Sequence, residues 1–406
     1  MPKNPLWKKG FVVGIIVLFV GTSIIPTIAQ DIGKSSLPTP RGNWLYVGGS
    51  GPGNYTTIQG AINAASDGDN VFVYDDSSPY YEHVVINKSI TLIGENRDTT
   101  IIDSSKNISV TADFVTISRF TILNREEGIS LLGSYNGSPR YYITISNNII
   151  KNSGVGIFLK YAIACNIFNN TITTCSYYGI FLKLASNCNI FNNIITTCSY
   201  YGILILGDYG FSTGNNIYGN RIINNARSGI VISPESFPSS VSDMWTGFSE
   251  YTTISYNDIS NNGYANPNWG GGIWIDSSFY NNIFKNNITH NTKGVFLDAA
   301  FLTSVDDNTI YQNNIMNNTY GVMISADGRF SHARRNKIYQ NNFIGNTYQA
   351  RSQGGYNIWD NGSVGNYWEH YFEWDFNHDG IGGRPYRISL FNKDHHPLMR
   401  PYPDIL

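Results

Sequence analysis

Apolar and polar residues alternate along this chain in short runs, and one such phrase recurs eight times between Tyr142 and Asn346. Three copies read ISNNIIKNSGVGIFLK, IFNNTITTCSYYGIFLK and IFNNIITTCSYYGILIL. Each copy holds two runs of period-two alternation separated by Gly, Asn or Ser, which is typical of short strands and turns. Landmark glycines accompany the repeat, and they are Gly128, Gly156, Gly179, Gly202, Gly229, Gly272, Gly294 and Gly321.

The spacing of these glycines predicts a repeat architecture, because self-similarity at a fixed period is the signature of stacked units. Gly156, Gly179 and Gly202 follow one another at intervals of 23 residues. A turn of this length made of short strands predicts an all-β, single-stranded parallel β-helix of about 10–12 coils, with neighbouring coils about 4.8 Å apart. Equivalent residues of successive coils then form columns.

Three columns of the repeat predict the interior of the solenoid. The first is aliphatic: Ile145, Ile167, Ile190, Ile217, Ile254, Ile283, Ile310 and Ile338. The second is also apolar: Ile172, Ile195, Ile222, Ile259, Ile288, Ile315 and Phe343. The third is polar: Asn148, Asn170, Asn193, Asn220, Asn257, Asn286, Asn313 and Asn341. Stacked amides bond along the axis and tolerate turn geometry, so we interpret the asparagines as structural.

Two further columns point outward. Alternation after the glycine sends Ile273 and Ile275 inward, and Trp274 and Asp276 outward. One outward column is apolar: Phe158, Phe181, Leu204, Val231, Trp274, Phe296 and Met323. The other is aromatic: Phe168, Phe191, Tyr218, Phe284, Tyr311 and Tyr339. We interpret them as a face that stacks on sugars or on a partner protein. The alternatives are that a loop or terminal segment covers the rings, or that they only stabilise the coil.

A pair of acids adjoins this face. Asp276 and Asp298 occupy the same position in adjacent coils, so we expect them to repel each other and one pKa to rise. Two close carboxylates are compatible with a retaining glycosidase pair or with a cation site. The plainer interpretation is a solvated surface pair, because the same column also places Lys160 next to Lys183.

Two longer loops interrupt the spacing, at Pro234–Tyr251 and Gly263–Gly271. Insertions in solenoids often build the binding face. These loops bring acids and aromatic residues towards Trp274 and Asp276, namely Glu235, Asp243, Trp245, Phe248, Glu250, Tyr264 and Trp269. The candidate ligand-binding residues are therefore Trp245, Trp269, Trp274, Phe296 and Glu250.

The four cysteines fall in two matched columns, Cys165 with Cys188 and Cys175 with Cys198. Adjacent coils bring each pair within Cα range of a disulfide, and an exported protein is able to oxidise them. In-register parallel neighbours point their Cβ atoms the same way, which strains such a bridge. We therefore expect stacked free thiols, with disulfides as the alternative.

The ends of the chain differ from the repeats. Residues 1–30 carry Lys8 and Lys9 before an apolar run and predict a signal peptide or signal anchor. Residues 31–43 form a linker, and residues 44–110 an N-terminal cap with the first coils. Thr56 and Gln59 fit a capping box and predict a helix over 57–65. Regular repeats span 111–350, and residues 351–406 form a C-terminal cap.

The C-terminal cap contains a candidate calcium loop. Asp375, Asn377 and Asp379 supply oxygen ligands at alternate positions, and the carbonyl of Ile381 adds another. The twelfth position holds Tyr386 where a calcium loop has a carboxylate. The alternative is a tight turn that uses the same side-chain chemistry.

Composition narrows the range of partners. Charged residues are 14% of the chain and the formal net charge is −2, so nothing favours a nucleic acid. We expect an extracytoplasmic protein that is secreted or held at the cell surface, with membrane contact only through its N-terminal segment. The expected partner is a polysaccharide or a cell-surface protein.

The repeat resembles right-handed parallel β-helix proteins of the pectin-lyase-like class. The resemblance also rests on YTTIQGAINAASDGDNVFVY and VVINKSITLIGE near the start, and on GNYWEHYF, DGIG and PLMRPY near the end. Residues 44–400 look more specifically like secreted β-helix proteins that include the NosD type, an accessory protein in copper maturation of nitrous-oxide reductase. The resemblance implies the fold, which hosts many functions.

Three hypotheses for function follow. The preferred one is an exported, non-catalytic β-helix that binds carbohydrate or a surface partner. The second is a polysaccharide lyase or hydrolase that uses Asp276, Asp298 or the loop acids, although the catalytic clusters of such enzymes are not recognisable. The third is a NosD-like accessory factor. Copper is disfavoured but stays open, because no Met or His column recurs at the repeat period.

Overall fold

The computed structural model describes residues 42–124, 126–133, 138–207, 212–234, 249–266, 268, 270–300, 303–326 and 330–403. The predicted signal segment 1–30 lies outside them. The chain winds into a parallel β-helix whose three main sheets, here A, B and C, contain 12, 11 and 11 strands. The predicted all-β solenoid and its number of coils are confirmed.

Sheet A contributes one strand per coil, and after the first coils these strands are three residues long. Its strands are Trp44–Val47, Asn70–Val73, Thr91–Gly94, Thr116–Ser118, Thr144–Ser146, Asn166–Phe168, Asn189–Phe191, Asn216–Tyr218, Thr253–Ser255, Asn282–Phe284, Thr309–Tyr311 and Lys337–Tyr339.

Sheet B follows sheet A within each coil. Its strands are Ile101–Ser104, Thr121–Asn124, Ile149–Lys151, Thr171–Thr173, Ile194–Thr196, Arg221–Ile223, Asp258–Ser260, Asn287–Thr289, Asn314–Met316, Asn342–Ile344 and Tyr367–Trp368.

Sheet C has the longest strands, of up to seven residues, and so offers the widest face. Its strands are Val85–Ile86, Ile108–Val110, Glu127–Leu132, Val155–Lys160, Tyr178–Lys183, Tyr201–Gly207, Ser228–Pro234, Gly271–Asp276, Lys293–Asp298, Tyr320–Ser325 and Tyr348–Ser352. A small parallel pair, Arg140–Tyr141 with Ala162–Ile163, lies beside the early coils.

The predicted inward columns form the core. Every member of the two apolar columns is buried, from Ile145 and Ile172 to Ile338 and Phe343. Ile273 and Ile275 are fully buried, whereas Trp274 between them is partly exposed. Burying this apolar surface is the main favourable term in folding. The predicted alternation is therefore confirmed.

The glycines of the repeat lie where adjacent coils approach most closely. A Cβ atom added at Gly179 would lie 2.5 Å from Ile195 Cγ2 and 2.6 Å from the carbonyl oxygen of Gly202. The same clash recurs at the equivalent glycines of neighbouring coils. Close packing thus explains why glycine recurs at this position.

Each coil turns at three corners that hold residues with positive φ. In the first of eight successive sets these are Tyr142, Asn147 and Asn152, with φ of 57°, 57° and 60°. Positive φ is uncommon outside glycine, and asparagine tolerates it best. The other sets follow the same five-residue spacing and begin at Ala164, Asn187, Gly214, Tyr251, Tyr280, Asp307 and Arg335.

The residues that follow the corners stack in columns along the solenoid axis, and the column after the second corner is a continuous ladder of asparagine side chains. Asn193 Oδ1 accepts hydrogen bonds from the backbone N–H and from Nδ2 of Asn170, each at 3.0 Å. Asn170 Nδ2 also donates to the carbonyl of Ile145 at 2.9 Å. These bonds satisfy buried backbone groups at the corners, where sheet pairing stops. The predicted structural role of the asparagine column is confirmed.

The four cysteines occupy positions in the two other ladders. The backbone N–H of Cys188 donates to Asn215 Oδ1 at 3.0 Å, and that of Cys198 donates to Asn225 Oδ1 at 3.1 Å. All four thiols are free and buried, as expected from the sequence. Contact with the partner thiol and burial raise the pKa of Cys188 and Cys198, so these thiols stay protonated and inert.

Helix α1, Ile58–Ala64, covers the N-terminal end of the solenoid with its buried face. Its N-cap is Thr57 and not Thr56, because Thr57 Oγ1 accepts the N–H of Gly60 at 3.1 Å. The predicted capping box is therefore wrong, and the Glu82 carboxylate binds the first-turn N–H groups instead. In the described part of the chain, no helix has the length and apolar character needed to cross a bilayer.

A two-stranded antiparallel ribbon, Tyr386–Arg387 with Lys393–Asp394, lies at the C-terminal end. The adjoining residue Asn392 ends one ladder, because its Oδ1 accepts the backbone N–H of Asn357 at 2.8 Å. The same oxygen accepts the indole N–H of Trp359 at 3.2 Å. The predicted C-terminal cap thus satisfies the last rung of this ladder.

Candidate functional site

The outer face of sheet C carries stacked aromatic rungs, because its strands pair in register. Phe158 and Phe181 stack with ring centroids 4.8 Å apart, and Tyr178 and Tyr201 with centroids 5.6 Å apart. Tyr178 also meets Phe181 edge to face at 5.3 Å. These four side chains are partly exposed. They form a continuous surface on which the flat face of another ring is able to pack.

The predicted outward column is exposed only in part. Phe158, Phe181, Trp274 and Met323 are partly exposed, whereas Leu204, Val231 and Phe296 are buried. The accessible aromatic surface on sheet C is thus divided into patches.

Cationic groups accompany the aromatic rungs. Lys160 and Lys183 are register partners at the end of the strands that carry Phe158 and Phe181. On the opposite side of the rungs, the Arg227 guanidinium lies 3.8 Å from the centroid of the Tyr200 ring. The two side chains place positive charge at this edge of the sheet, where ammonium groups are able to bind the oxygen atoms of a ligand.

The predicted acid pair lies further along the same face. Asp276 and Asp298 are register partners, and they are only 5% and 7% exposed. Burial raises the pKa of Asp276 to about 6. The sequence argument expected repulsion between the two acids to raise a pKa, but the cause here is burial.

Hydroxyl groups fix the Asp276 carboxylate. Ser277 Oγ donates to its Oδ1 at 2.8 Å and Ser233 Oγ donates to its Oδ2 at 3.0 Å. A carboxyl group whose pKa is raised towards neutral pH is suited to general acid catalysis. Both oxygens of Asp276 are engaged and covered, however, which favours a structural role over contact with a substrate.

A lysine completes this cluster. Lys293 Nζ lies 4.2 Å from the centroid of the Phe296 ring and donates to the carbonyl of Asn268 at 2.6 Å. Burial lowers the pKa of Lys293 to about 8, while the nearby Asp298 opposes the shift. The sequence did not single out this residue, although its position before the landmark Gly294 placed it on sheet C.

The predicted ligand-binding residues are only partly brought together. Trp274 and Phe296 stack with centroids 5.9 Å apart. Glu250 lies instead where sheet C leads into sheet A, between Thr213 and Phe279 in isolated bridges. Five of the loop residues named above lie outside the described part of the chain: Glu235, Asp243, Trp245, Phe248 and Trp269.

A polar groove of about 430 Å³ opens at the corner that precedes sheet C. Its wall includes Tyr264 of the second predicted loop, and it shares no residue with the set Trp274, Phe296 and Glu250. Amide, hydroxyl and imidazole groups that hydrogen-bond neutral polar ligands line it, among them Asn224, Asn261, His290, Thr292 and Asn317.

A second cluster, which the sequence did not reveal, lies at the corner between sheets C and A. Asp306 is buried and its Oδ2 lies 3.3 Å from His332 Nε2 and 3.3 Å from Arg335. Arg335 also binds Asp307 through two nitrogens, at 2.7 and 2.9 Å. The only sequence signal is that Asp307 and Arg335 occupy the same corner position in adjacent coils.

The candidate calcium loop is held by its own hydrogen bonds. Asp375 accepts the N–H groups of Asp379 and Gly380 at 3.2 and 2.9 Å. Asp379 accepts Asn377 Nδ2 at 2.8 Å and the N–H of Ile381 at 2.8 Å. These contacts describe a turn that is closed by its own side chains.

Groups suited to copper are sparse in the part of the chain that the structure describes. Among those residues, no three His, Cys, Asp or Glu side chains are grouped to hold a metal ion. The thiols, which are the softest ligands available, are enclosed in the ladders as two separate pairs. The described residues therefore do not fit a copper centre with three such ligands.

Solved structures with the same architecture come from several kinds of protein. The A-module of a mannuronan C-5 epimerase from Azotobacter vinelandii matches at 17% identity with a TM-score of 0.50, over 76% of this chain and 93% of the epimerase module. The Dettilon tailspike protein matches at 14% identity with a TM-score of 0.53, over 78% and 68%.

The catalytic domain of a GH87 α-1,3-glucanase matches at 14% identity with a TM-score of 0.52, over 80% of this chain and 69% of that domain. At these identities the similarity concerns the fold. It places the architecture in the pectin-lyase-like right-handed β-helix class. A search of curated proteins found no significant match.

A family profile matches the sequence itself. The profile of the periplasmic copper-binding protein NosD matches residues 62–262 and 239–372. These two segments overlap and cover the repeats from the first coils to the beginning of the C-terminal cap. With more than half of its length matched, this chain belongs to the NosD family of periplasmic β-helix proteins.

Proposed function

We propose that this protein is an extracytoplasmic, non-catalytic β-helix that binds a polysaccharide along the outer face of sheet C. The observation that carries the proposal is the set of partly exposed aromatic rungs on this face, Phe158 with Phe181 and Tyr178 with Tyr201. The periplasmic family supports the location, because a periplasmic protein meets envelope and extracellular glycans.

The chemistry of the face supports a sugar as the ligand. Aromatic rings pack against the apolar face of a pyranose, and cationic groups at the edge bind its oxygen atoms. Lys160 and Lys183 supply such groups beside the rungs. The epimerase, the tailspike and the glucanase share only the fold with this chain, so they lend general plausibility and no specific substrate.

Binding without cleavage is the preferred form of the proposal. Asp276 and Asp298 are buried, and both Asp276 oxygens accept hydrogen bonds from serine hydroxyl groups. A substrate would have to displace these contacts to reach the carboxylates. The cluster is therefore proposed to stabilise sheet C, with carbohydrate cleavage by Asp276 and Asp298 as the alternative.

The test is affinity electrophoresis of the purified protein against a panel of acidic and neutral polysaccharides. The decisive variant is Phe181→Ala on sheet C, and its matched control is Phe191→Ala on sheet A. Both rings stack on a neighbouring phenylalanine at 4.8 Å in the same two coils. Phe181→Ala should weaken binding about tenfold, which corresponds to about 1.4 kcal/mol, while the control keeps it.

Two results would contradict the proposal. Equal losses in both variants would mean that the rungs act through the stability of the coil. Shortening of a polysaccharide that Asp276→Asn or Asp298→Asn abolishes would establish the enzymatic alternative instead.

A role in maturing a copper enzyme is the second candidate, and the family match favours it. Genes for a nitrous-oxide reductase and a transporter beside the gene for this protein would support it. Copper titration of the purified protein adds a direct test, with metal content after desalting as the readout. If the protein still retains a stoichiometric amount of copper after all four cysteines are replaced by serine, the copper is bound by other ligands.

A further inference from the structure

The C-terminal cap displays three large aromatic side chains that are almost completely exposed. Phe372, Trp374 and Phe376 are 83%, 75% and 83% exposed. They alternate with Glu373 and Asp375 along one short segment. Large apolar side chains are seldom left in water as a group, and where they are, the surface usually binds something. This aromatic segment, residues 372–376, belongs to neither the repeats nor sheet C.

Backbone contacts fix the aromatic segment in place. The N–H of Gly383 donates to the carbonyl of Trp374 at 2.9 Å. The N–H of Gly382 donates to the carbonyl of Pro397 at 2.8 Å. Because the segment is held before any ligand arrives, little conformational entropy is lost on binding.

A groove of about 450 Å³ runs beside the segment. This volume falls within the range of small-ligand sites. Aromatic side chains and two carboxylates form most of its wall, namely Tyr367, Tyr371, Phe372, Trp374, Glu369 and Glu373. Trp374 and Phe376 continue the wall outward as a stacked pair with centroids 6.4 Å apart and planes 24° apart.

The combination of flat rings and carboxylates indicates the ligand. Ring faces accept the C–H surface of a pyranose, while carboxylates accept hydrogen bonds from its hydroxyl groups. Glu373 Oε1 also lies 4.0 Å from Arg384 Nη1, so the guanidinium of Arg384 adds a hydrogen-bond donor at the rim. We propose that this groove is a second carbohydrate site, specific for a neutral saccharide. The inference rests on the proposed function, because it extends glycan binding to a second surface.

Charge selects a neutral sugar over other ligands. Glu369 and Glu373 line the groove, and Asp375 directly follows its wall residue Trp374, so these carboxylates repel uronic acids and the anionic headgroups of a bilayer. The lysines on sheet C have the opposite sign. The two surfaces are therefore expected to take different glycans, or different parts of one glycan.

The test uses the full chain and isothermal titration with maltohexaose, cellohexaose and laminarihexaose. At least one of these hexasaccharides should bind the parent protein. Trp374→Ala should lower the affinity for that sugar by about tenfold or more, as expected when a central aromatic contact is lost. Phe391→Ala is the matched control, because Phe391 is 74% exposed but lies outside the groove. It should change the affinity less than about twofold.

Phe181→Ala separates this inference from the proposed function. Loss of hexasaccharide binding in Trp374→Ala but not in Phe181→Ala supports the cap site, whether or not sheet C binds a polysaccharide. Loss in Phe181→Ala with full binding in Trp374→Ala overturns the cap site and leaves the proposed function standing. Absence of binding to all three sugars also overturns the cap site. Binding to lipid vesicles or self-association that depends on Trp374, without binding to any of the sugars, overturns it as well.

Discussion

Asp394 Oδ2 accepts the backbone N–H of Asn366 at 2.7 Å, so the longest asparagine ladder of the solenoid ends on a carboxylate. The same oxygen accepts the indole N–H of Trp368 at 2.9 Å, and Oδ1 accepts the N–H of His396 at 3.0 Å. Both oxygens of this side chain accept N–H groups. An asparagine here would point its own amide N–H towards one of these N–H donors, which explains why the last rung is an aspartate.

Replacing this last rung should destabilise the fold. Asp394→Ala leaves the buried N–H groups of Asn366 and Trp368 without an acceptor, and we expect a loss of about 3 kcal/mol in unfolding free energy. Urea denaturation followed by tryptophan fluorescence measures it. Asp258→Ala is the control, because Asp258 is partly exposed and forms a surface ion pair of 3.8 Å with Arg221, and it should cost less than about 0.5 kcal/mol. Similar losses in the two variants would contradict the prediction.

The interior of the ladder should be at least as sensitive. Asn257 Oδ1 accepts both donors of Asn220, at 2.9 and 3.0 Å, and Asn257 Nδ2 donates to Asn286. Asn257→Ala orphans several buried groups at once, so we expect a loss of about 4 kcal/mol by denaturant titration. The control is Asn287→Ala, because Asn287 lies on sheet B next to the ladder residue Asn286 but outside the ladder. It should lower the unfolding free energy by about 1 kcal/mol or less. The reverse order would mean that the ladder contributes little.

The buried Asp276 should make stability depend on pH. Its pKa rises from 3.8 to about 6 in the folded chain, so the folded state binds this proton more tightly than the unfolded state. The unfolding free energy therefore falls as pH increases from about 4 to about 6, by up to about 3 kcal/mol, and stays reduced at higher pH.

Asp276→Asn should remove this part of the pH dependence. The amide keeps partners in Ser233 and Ser277 but carries no charge. We expect a higher thermal midpoint than the parent at about pH 7.5 and no gain at about pH 4. A residual dependence should persist, because burial also raises the pKa of Asp394 to about 6. A gain of the same size at both pH values would show that charge burial is not the cause.

Calcium binding by the loop Asp375–Ile381 remains a prediction that thermal unfolding is able to test. A ligand that binds only the folded state raises the midpoint. We expect millimolar calcium to raise it in the parent and to have no effect in Asp379→Ala. Magnesium should act weakly, because it demands a more regular shell of oxygen ligands. An unchanged midpoint in the parent would identify the loop as a turn closed by Asp375 and Asp379 alone.

The sequence predicted the repeating part of the molecule because columns depend only on spacing. Ile145, Asn148 and Trp274 all lie as the alternation requires, since one register fixes every coil. The pairing of Asp276 with Asp298 followed from the same rule.

Features that depend on contacts between distant segments were not predictable in this way. The burial of Asp276 and Phe296 depends on what lies over sheet C, and alternation reports only which side a residue faces. The capture of Asn366 by Asp394 depends on how the terminal ribbon folds back, outside the repeat. The ladder role of Cys188 was hidden because cysteine and asparagine share a column without sharing chemistry.

The spacing of the three corners decides where the coils differ in length. In all eight sets the first and third corners are ten residues apart, as in Tyr142 and Asn152 or Arg335 and Gly345. The interval from a third corner to the next first corner ranges instead from 12 residues, Asn152 to Ala164, to 27 residues, Asn224 to Tyr251. The differences in length between the coils of this chain therefore all fall on the side of sheet C. Sheets A and B thus keep a fixed spacing, so that a coil is able to gain residues next to sheet C without a change in the register of the other two sheets.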